Sequence, residues 1–496
     1  MAASVRLTAG RRLFPWTRGT SSYDPVVLSL TAPASTMAET TTSTHAHPRP
    51  FSAIPGPKSW PLLGCMPSVL TDPAFDGTRM PRLWESYFRR YGPIFKMDIA
   101  GLGSIVFISD PLDIERLYRE TFDNPVRPFF FSLKKVREIN RAKYFKTNET
   151  GILTEHGEEW WRVRSRVQVH SMKPRTVAQY LLQMDRVAQE FIVRCAGQRN
   201  DNNELPEEFL QELYKWALES LCLVTLGRRV GCLEDSAEGM KIINASIAMI
   251  HTLSECEHGF QWWRYVTTPT MRRMREAHET LLEVSMDAVH QAQSALKARA
   301  PEDDTELNIM DSLITTPGLN TSDVVTFLVD LLLAGVDTTS VSVLFTMYNL
   351  ACHPDKQTKM QSELDQVLGD GCHLLTEKHL AKLTYTKACV RESLRLYPTT
   401  SLVSRQANQD MTLHGYAIPR GTIVNVSMSQ SGKNEEYFPR AEEFLPERWL
   451  RDDPRRPTNP YASVPFSMGT RMCVGRRLAE QEIYTLLARM MSVDVS

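Results

Sequence analysis

The 9 cysteines of this 496-residue chain are an odd number, and no two stand in a Cys-x-x-Cys arrangement. That excludes the zinc-ribbon spacing and argues against a secreted disulfide framework; a reducing compartment suits the chain better. An excess of charge of one sign is missing too. The formal net charge is −1, so nucleic-acid binding has no bulk electrostatic support. Near the N-terminus, apolar runs such as Val26–Leu28 fall far below the about 18 residues that span a bilayer. Acid is also scarce there. Arg6, Arg11, Arg12 and Arg18 precede the first acidic residue, Asp24, and Ser and Thr stay abundant through Thr44. A basic, hydroxyl-rich, acid-poor start has the composition of a mitochondrial transit peptide, with a disordered tail as the plainer alternative.

The rest is ordinary globular composition, 42% hydrophobic and 23% charged, which sets aside disordered and fibrous classes. Residues 31–50, rich in Thr, Ser, Ala and Pro, read as a linker. Ile54-Pro55-Gly56-Pro57, with Pro61 and Gly64, predicts a stiff entry of little helical capacity. Gly92–Asp110 predicts a short hairpin. Helical periodicity runs over Val177–Cys195 and Met271–Arg299, and short strands are expected around Thr412–Asn425.

The most informative helix is predicted over Thr321–Leu350. Thr321 or Ser322 is placed to cap it, and apolar residues surround it, as in a helix buried in a large core. About 30 residues make it roughly 45 Å long. Its middle holds Asp330 and Gly335-Val336-Asp337-Thr338-Thr339. Those polar groups argue against a membrane span and require partners or a task.

A second segment, Phe466-Ser-Met-Gly469-Thr-Arg471-Met-Cys473-Val-Gly475-Arg-Arg-Leu-Ala479, suits metal ligation. Amide groups of a Gly-bearing loop entering a helix support a thiolate. Gly469 and Gly475 allow close approach to a flat cofactor, and Arg471 offers a cation to an acidic group on it. On these grounds alone, a buried structural cysteine at a helix start explains Cys473 at least as well.

The spacing Phe-x-x-Gly-x-Arg-x-Cys-x-Gly-x-x-x-Ala resembles the haem-binding signature of the cytochrome P450 family and matches it at every fixed position. Further motifs follow the family's order. Trp160-Trp-Arg-Val-Arg164 resembles its Trp-x-x-x-Arg, and Ala334–Thr339 its oxygen-activation stretch. Glu392-Ser-Leu-Arg395 resembles its Glu-x-x-Arg, and Pro446-Glu-Arg448-Trp449 the partner segment. Arg405, seven residues after Pro398, stands where the family often has another propionate-binding arginine. The resemblance spans about Pro55 to about Met491.

The resemblance implies a mainly α fold with small β-sheets and a long central helix crossing over haem b, iron protoporphyrin IX. It implies one monooxygenase domain over residues 51–496, with transit peptide and linker over 1–50. Cys473 would ligate the iron; Arg471, Arg164, Trp160, Arg405 and Phe466 would surround the haem. Thr338 matches the family's oxygen-handling threonine, with Asp337 beside it to feed protons. Thr339 has the plainer reading of a hydroxyl bonded to its own helix. Glu392, Arg395 and Arg448 would form a structural triad. One atom of O2 would enter a C–H bond and the other leave as water, with the thiolate favouring O–O cleavage.

Lys387 and Arg391, four apart on one helix face, resemble the basic residues with which mitochondrial members dock an acidic ferredoxin of the adrenodoxin type, itself served by an NADPH reductase; Arg476-Arg477 is also typical of that group. A solvated basic face is the plainer reading. Mitochondrial members usually touch the matrix side of the inner membrane peripherally. Phe129-Phe130-Phe131 and Thr399–Ser404 would line an apolar pocket for a lipophilic substrate. Val329–Ser340 and Phe444–Asp452 look most like arthropod members that hydroxylate ecdysteroid precursors, the Disembodied-type steroid 22-hydroxylases first; a detoxifying mitochondrial member is the competing reading. The chain stops at Ser496, 23 residues after Cys473, earlier than members usually do. The expectation is a missing terminal hairpin, and with it the alternative of a haem-binding but catalytically weak short isoform.

Overall fold

Pro55, Pro57 and Pro61 keep the entry segment out of α-helix until Met66, after a single 3-10 turn at Phe51–Ala53. Gly56 is required there: a Cβ would stand 1.9 Å from the Lys96 carbonyl oxygen. The computed structural model describes residues 47–77, 79–145, 151–202, 204–258, 261–298, 308–369 and 374–492. The transit peptide and most of the linker, through residue 46, lie outside the described residues, as do residues 493–496.

Alternating β-branched and aromatic residues form the expected hairpin, β1 (Ile94–Ile99) antiparallel to β2 (Gly103–Ile108). Later strands are β3 (Leu402–Gln406), β4 (Met411–Leu413), β5 (Tyr416–Ile418) and β6 (Ile423–Ser427). The main sheet has the order β1-β2-β6-β3, with β6 parallel to β2 and antiparallel to β3. Pairing of Arg405 with Val424 fixes the arginine at the sheet's inner edge. β4 and β5 make a separate two-stranded sheet.

Helices build most of the rest, and those that matter here are α1 (Phe131–Tyr144), α2 (Gly157–Ser171), α3 (Leu181–Gly197), α4 (Phe209–Thr225), α5 (Ala237–His258), α6 (Pro269–Ala298), α7 (Thr321–Cys352), α8 (Thr384–Leu396) and α9 (Arg476–Ser492). The periodicity over Val177–Cys195 does not give one continuous helix. A short helix ends at Ala178 and α3 begins at Leu181; at the junction the buried Tyr180 hydroxyl accepts the Ile309 N–H. The cap of α7 also differs from expectation. Asn320, not Thr321 or Ser322, accepts the Asp323 N–H at 2.8 Å, and Asp323 answers on the Asn320 N–H at 2.9 Å. That capping box satisfies two orphan donors at once.

Apolar on all sides, α7 is the core about which α4, α5, α6, α8 and α9 pack. It is long and apolar enough to cross a membrane, yet it is mostly buried within the fold. Gly335 lets α4 cross it closely, since a Cβ there would lie 2.7 Å from Leu221 Cδ2. The helix that follows Cys473, α9, is tied to α3 by Arg489, whose Nε and Nη2 each donate to the buried Asp185 carboxylate at 2.6 Å. Among the described residues no strand follows α9.

Candidate active site

The Cys473 loop is shaped by its own backbone. The Ser467 N–H donates to the Val464 carbonyl at 2.7 Å, and the Cys473 N–H to the Phe466 carbonyl at 2.9 Å. Gly469 takes φ +80, and Ser467 takes φ +59, which a non-glycine residue rarely adopts. Two contacts hold Ser467 there: its Oγ lies 3.0 Å from the Tyr118 hydroxyl and accepts from Arg405 Nη2 at 3.1 Å. A Cβ on Gly475 would meet nothing within 4 Å, so the chain leaves open space just past the sulfur.

Burial pushes the Cys473 thiol pKa up, while the Gly475 N–H and the charges of Arg164, Arg127 and Arg476 pull it down. The side chain is nevertheless open. Crowded surroundings and an open side chain coincide where a residue faces an interior chamber. Ala334 has the same character: it is exposed in the middle of α7, whose neighbouring residues are mainly buried. A chamber between the Cys473 loop and the Ala334 face of the central helix accounts for both open positions.

Arginines without acidic partners border it. Arg164, Arg405 and Arg471 are buried, Arg127 half-buried, and none pairs with a carboxylate among the described residues. Arg164 donates to the Met472 carbonyl at 2.7 Å. Arg471 donates to the carbonyls of Pro125 (2.9 Å) and Glu155 (2.8 Å), lies 3.1 Å from His156 Nδ1, and stands 4.9 Å over the Trp160 ring. Arg405 lies 4.9 Å over the Tyr118 ring. The Nε atoms of Arg127, Arg405 and Arg471 have no hydrogen-bond partner. Burial, then repulsion by Arg127, Arg405 and Arg164, pushes Arg471 down to about 8. Burial, then Arg405, lowers Arg127 to about 10, and burial lowers Arg164 to about 10. His156 is held down to about 4 by burial and then by Arg471. Such a cluster is costly without anions. The two propionates of a haem and a thiolate are the anions it lacks, so the residues present fit that group.

Over the chamber, Thr338 Oγ1 donates to the Ala334 carbonyl at 2.6 Å. It is thus Thr338 that bonds back to its own helix, the part expected of Thr339. Asp337 turns toward α4, where the Tyr214 hydroxyl donates to its Oδ1 at 2.9 Å. Thr338 and Asp337 are adjacent in sequence but engage different partners.

Glu392, Arg395 and Arg448 meet, fully buried, on the other side of α8: Arg395 Nη2 donates to Glu392 at 2.7 Å and Arg448 Nε at 3.0 Å. Lys387 and Arg391 do not form one free face. Lys387 is half-buried and donates to the Ala381 carbonyl at 3.2 Å. Arg391 is exposed and stacks 4.0 Å over the Trp449 ring. It lines a surface groove of about 290 Å³ with Trp449, Arg456 and Asn459. Crowding by the surrounding protein, then the charges of Arg476 and Arg456, lowers the Arg391 pKa although the side chain reaches solvent. Arg476 in turn lies 5.5 Å over the Phe466 ring of the Cys473 loop.

An open cysteine in a tight loop, buried arginines without acidic partners and a long buried helix with an open Ala334 together fit a haem-thiolate oxygenase architecture. Residues 54–493 match the cytochrome P450 family. The chain is 33% identical over 485 residues to the probable cytochrome P450 49a1 of Drosophila melanogaster, covering 94% of this chain and 81% of that protein. It is 32% identical over 450 residues to the mitochondrial cytochrome P450 302a1 of the same fly, covering 89% of each. To cytochrome P450 10 of Lymnaea stagnalis it is 29% identical over 469 residues, covering 92% of this chain and 83% of the relative. The chain belongs to the cytochrome P450 family and is a monooxygenase whose cofactor is haem b.

Proposed function

We propose that this monooxygenase hydroxylates a sterol-like lipophilic substrate in mitochondria, with electrons from a ferredoxin of the adrenodoxin type. The observation that carries the assignment of the site is the open Cys473 beneath the open Ala334, ringed by arginines that lack acidic partners. Cys473 would hold the iron. Arg127, Arg164, Arg405 and Arg471 hold the propionates, with Trp160 flooring Arg471 and Phe466 shaping the loop. When bound, the haem supplies oxygen activation and insertion into a C–H bond. The chain supplies position, exclusion of water and protons. Thr338, whose hydroxyl rests on the carbonyl of Ala334, would hand protons to the haem side, and Asp337 would carry the proton behind it. Thr338→Ala should keep haem and substrate binding but divert reducing equivalents to peroxide. A loss of coupling of about tenfold or more is the scale for a positioned proton-transfer group. Unchanged product per NADPH would move the role elsewhere.

The mitochondrial reading rests on the basic, acid-poor N-terminus and on several relatives named mitochondrial. The donor reading rests on Arg391 and Arg456, which rim the groove and form no ion pair among the described residues, whereas Arg89, Arg116 and Arg119 pair with neighbouring glutamates. Unpaired cations on a rim suit an acidic partner. Arg391→Gln and Lys387→Gln should leave the spectrum intact and raise the ferredoxin needed for half-maximal turnover, Arg391→Gln more, since Lys387 is half-buried. Raising ionic strength should slow the wild type more than either variant. Equal ferredoxin dependence in variants and wild type, or better support from a microsomal flavoprotein reductase, would overturn the donor assignment.

A sterol or ecdysteroid precursor would suit a pocket lined by Phe129 to Phe131; of these, Phe130 is half-buried against the core cluster that contains the central helix. Exposed Trp60, Leu62 and Leu63 at one turn, and Trp262, Tyr265 and Val266 at another, are suited to peripheral contact with the inner membrane. Ligand-difference spectra against sterols and ecdysteroid precursors test the substrate class.

A further inference from the structure

Tyr118 stands on the helix Pro111–Glu120, outside every motif that marks the site. Its ring is buried in the apolar core that also takes Val106 of β2 and Val424 of β6. Hydroxyl and ring meet two different parts of the site. The hydroxyl lies 3.0 Å from Ser467 Oγ, and the ring carries the Arg405 guanidinium 4.9 Å over its face. Arg405 Nη2 in turn donates to Ser467 Oγ at 3.1 Å, so three segments close into one triangle. Ser467 Oγ is the one hydrogen-bond partner of the Tyr118 hydroxyl among the described residues, and a buried phenol with a single partner able to accept donates to it. Ser467 thus accepts from both neighbours. That matters because its backbone stands at φ +59. A left-handed residue other than glycine persists only where its surroundings overdetermine it. The strained turn is tied directly to the sulfur's residue: the Cys473 N–H donates at 2.9 Å to the carbonyl of Phe466, the residue before Ser467.

We propose that Tyr118 is a positioning residue for the haem, with two separable tasks. Its hydroxyl holds Ser467 in the strained turn and so keeps the Cys473 loop in the shape that presents the sulfur. Its ring holds the Arg405 guanidinium at the chamber. The proposal rests on the assignment of Cys473 to the iron and of Arg405 to a propionate. Each task has its own physical consequence. A loop freed at Ser467 relaxes out of the left-handed region, and the sulfur shifts with the Phe466 carbonyl that its amide holds. An Arg405 without the ring beneath it is held only through Ser467 and the Ser404 carbonyl, to which Nη1 donates at 2.9 Å. Reduction adds an electron to the cofactor, and a fixed, desolvated cation nearby favours that more than a mobile, solvated one. Loss of the hydroxyl therefore shortens the life of the thiolate bond, and loss of the ring lowers the reduction potential.

The test uses the full-length holoenzyme without substrate. Tyr118→Phe, Tyr118→Leu, Ser467→Gly and the double variant Tyr118→Phe with Ser467→Gly are compared with the wild type. Haem content, the reduction potential and the rate at which the reduced carbon-monoxide complex loses its thiolate band are measured. Tyr118→Phe should lose the band about two- to tenfold faster, the scale of one buried hydrogen bond, with the potential unchanged. Tyr118→Leu should lose it at least as fast and also reduce at a more negative potential. Glycine takes φ +59 without strain, so the band of the double variant should persist as long as that of Ser467→Gly alone. A tyrosine that acted only by packing would not be bypassed by that glycine. If Tyr118→Phe keeps the band as long as the wild type, or Ser467→Gly fails to remove the effect of Tyr118→Phe, the hydroxyl has no such task. If Tyr118→Leu reduces at the wild-type potential, the ring has none. A thiolate band that survives in Cys473→Ala would instead overturn the underlying assignment of the iron ligand.

Discussion

Cys473→Ala should abolish the absorbance that reduced, carbon-monoxide-treated protein shows near the wavelength that gives the family its name. The loss should be complete, because that band requires a thiolate on the iron. Haem itself should be retained in part. The arginines that border the chamber come from three other segments as well as the Cys473 loop: Arg127 from the loop before α1, Arg164 from α2 and Arg405 from β3. Their affinity for propionates does not depend on the sulfur. The variant should therefore show haem absorbance with the thiolate signature missing and no product formation. The measurement is the reduced carbon-monoxide difference spectrum beside a haem content assay. An unchanged band in Cys473→Ala would remove the cysteine from the iron.

The partial retention depends on a residue that no motif revealed. Trp160, Arg164 and Arg471 are legible because each sits at fixed spacing in a short motif. Arg127 lies in Asn124-Pro125-Val126-Arg127-Pro128, a loop with no periodicity. Its only signal is a lone cation between two prolines, which also describes many surface turns. His156, beside Arg471 at 3.1 Å, has no sequence signal beyond standing at the start of α2. Tyr214 is 123 residues from Asp337, and only helix crossing angles bring them together.

Elements with strong local patterns were readable. The β1–β2 hairpin follows from alternation and glycine punctuation, and α7 from an apolar run too long to be anything but a core helix or a span. What failed was local detail decided by tertiary contacts. Asn320 outcompetes Thr321 and Ser322 as the cap because Asp323 stands three residues on to complete the box. The helix breaks before Leu181, where Tyr180 serves Ile309, a partner 129 residues away that no local pattern announces. Lys387 and Arg391 share a helix face by spacing, but α9 presses Tyr484 to 5.9 Å from Lys387 and leaves Arg391 outside. Spacing gives the face of a helix and says nothing of which end of it a neighbour covers.

Glu392→Ala should give little or no soluble haem-loaded protein. The Glu392 carboxylate accepts five hydrogen bonds: from Arg395 Nε at 2.9 Å and Nη2 at 2.7 Å, Arg448 Nε at 3.0 Å, the Trp449 ring nitrogen at 2.7 Å and the Leu445 N–H at 3.0 Å. Glu392 and Arg448 have no exposed surface, and Arg395 has 1%. Removing the carboxylate leaves two guanidiniums uncompensated in the core, a loss of about 3–5 kcal/mol against the about 5–15 kcal/mol that holds a folded domain together. Replacing a buried ionic triad by apolar side chains can be neutral elsewhere, but here it should not rescue. Arg395 also donates to the carbonyls of Gly432, Ala441 and Glu443, and Arg448 to those of Pro439 and Arg440. An apolar triple variant would strand those five carbonyls, each at about 1–3 kcal/mol if it stays buried. Both the single and the triple variant should therefore fall short of wild type in soluble yield, haem content and thermal midpoint, the triple no better than the single. Glu392→Asp, which keeps the charge but shortens the reach, should fall between. Wild-type yield and haem content in Glu392→Ala would show that the network is not what holds α8 to the segment carrying Arg448.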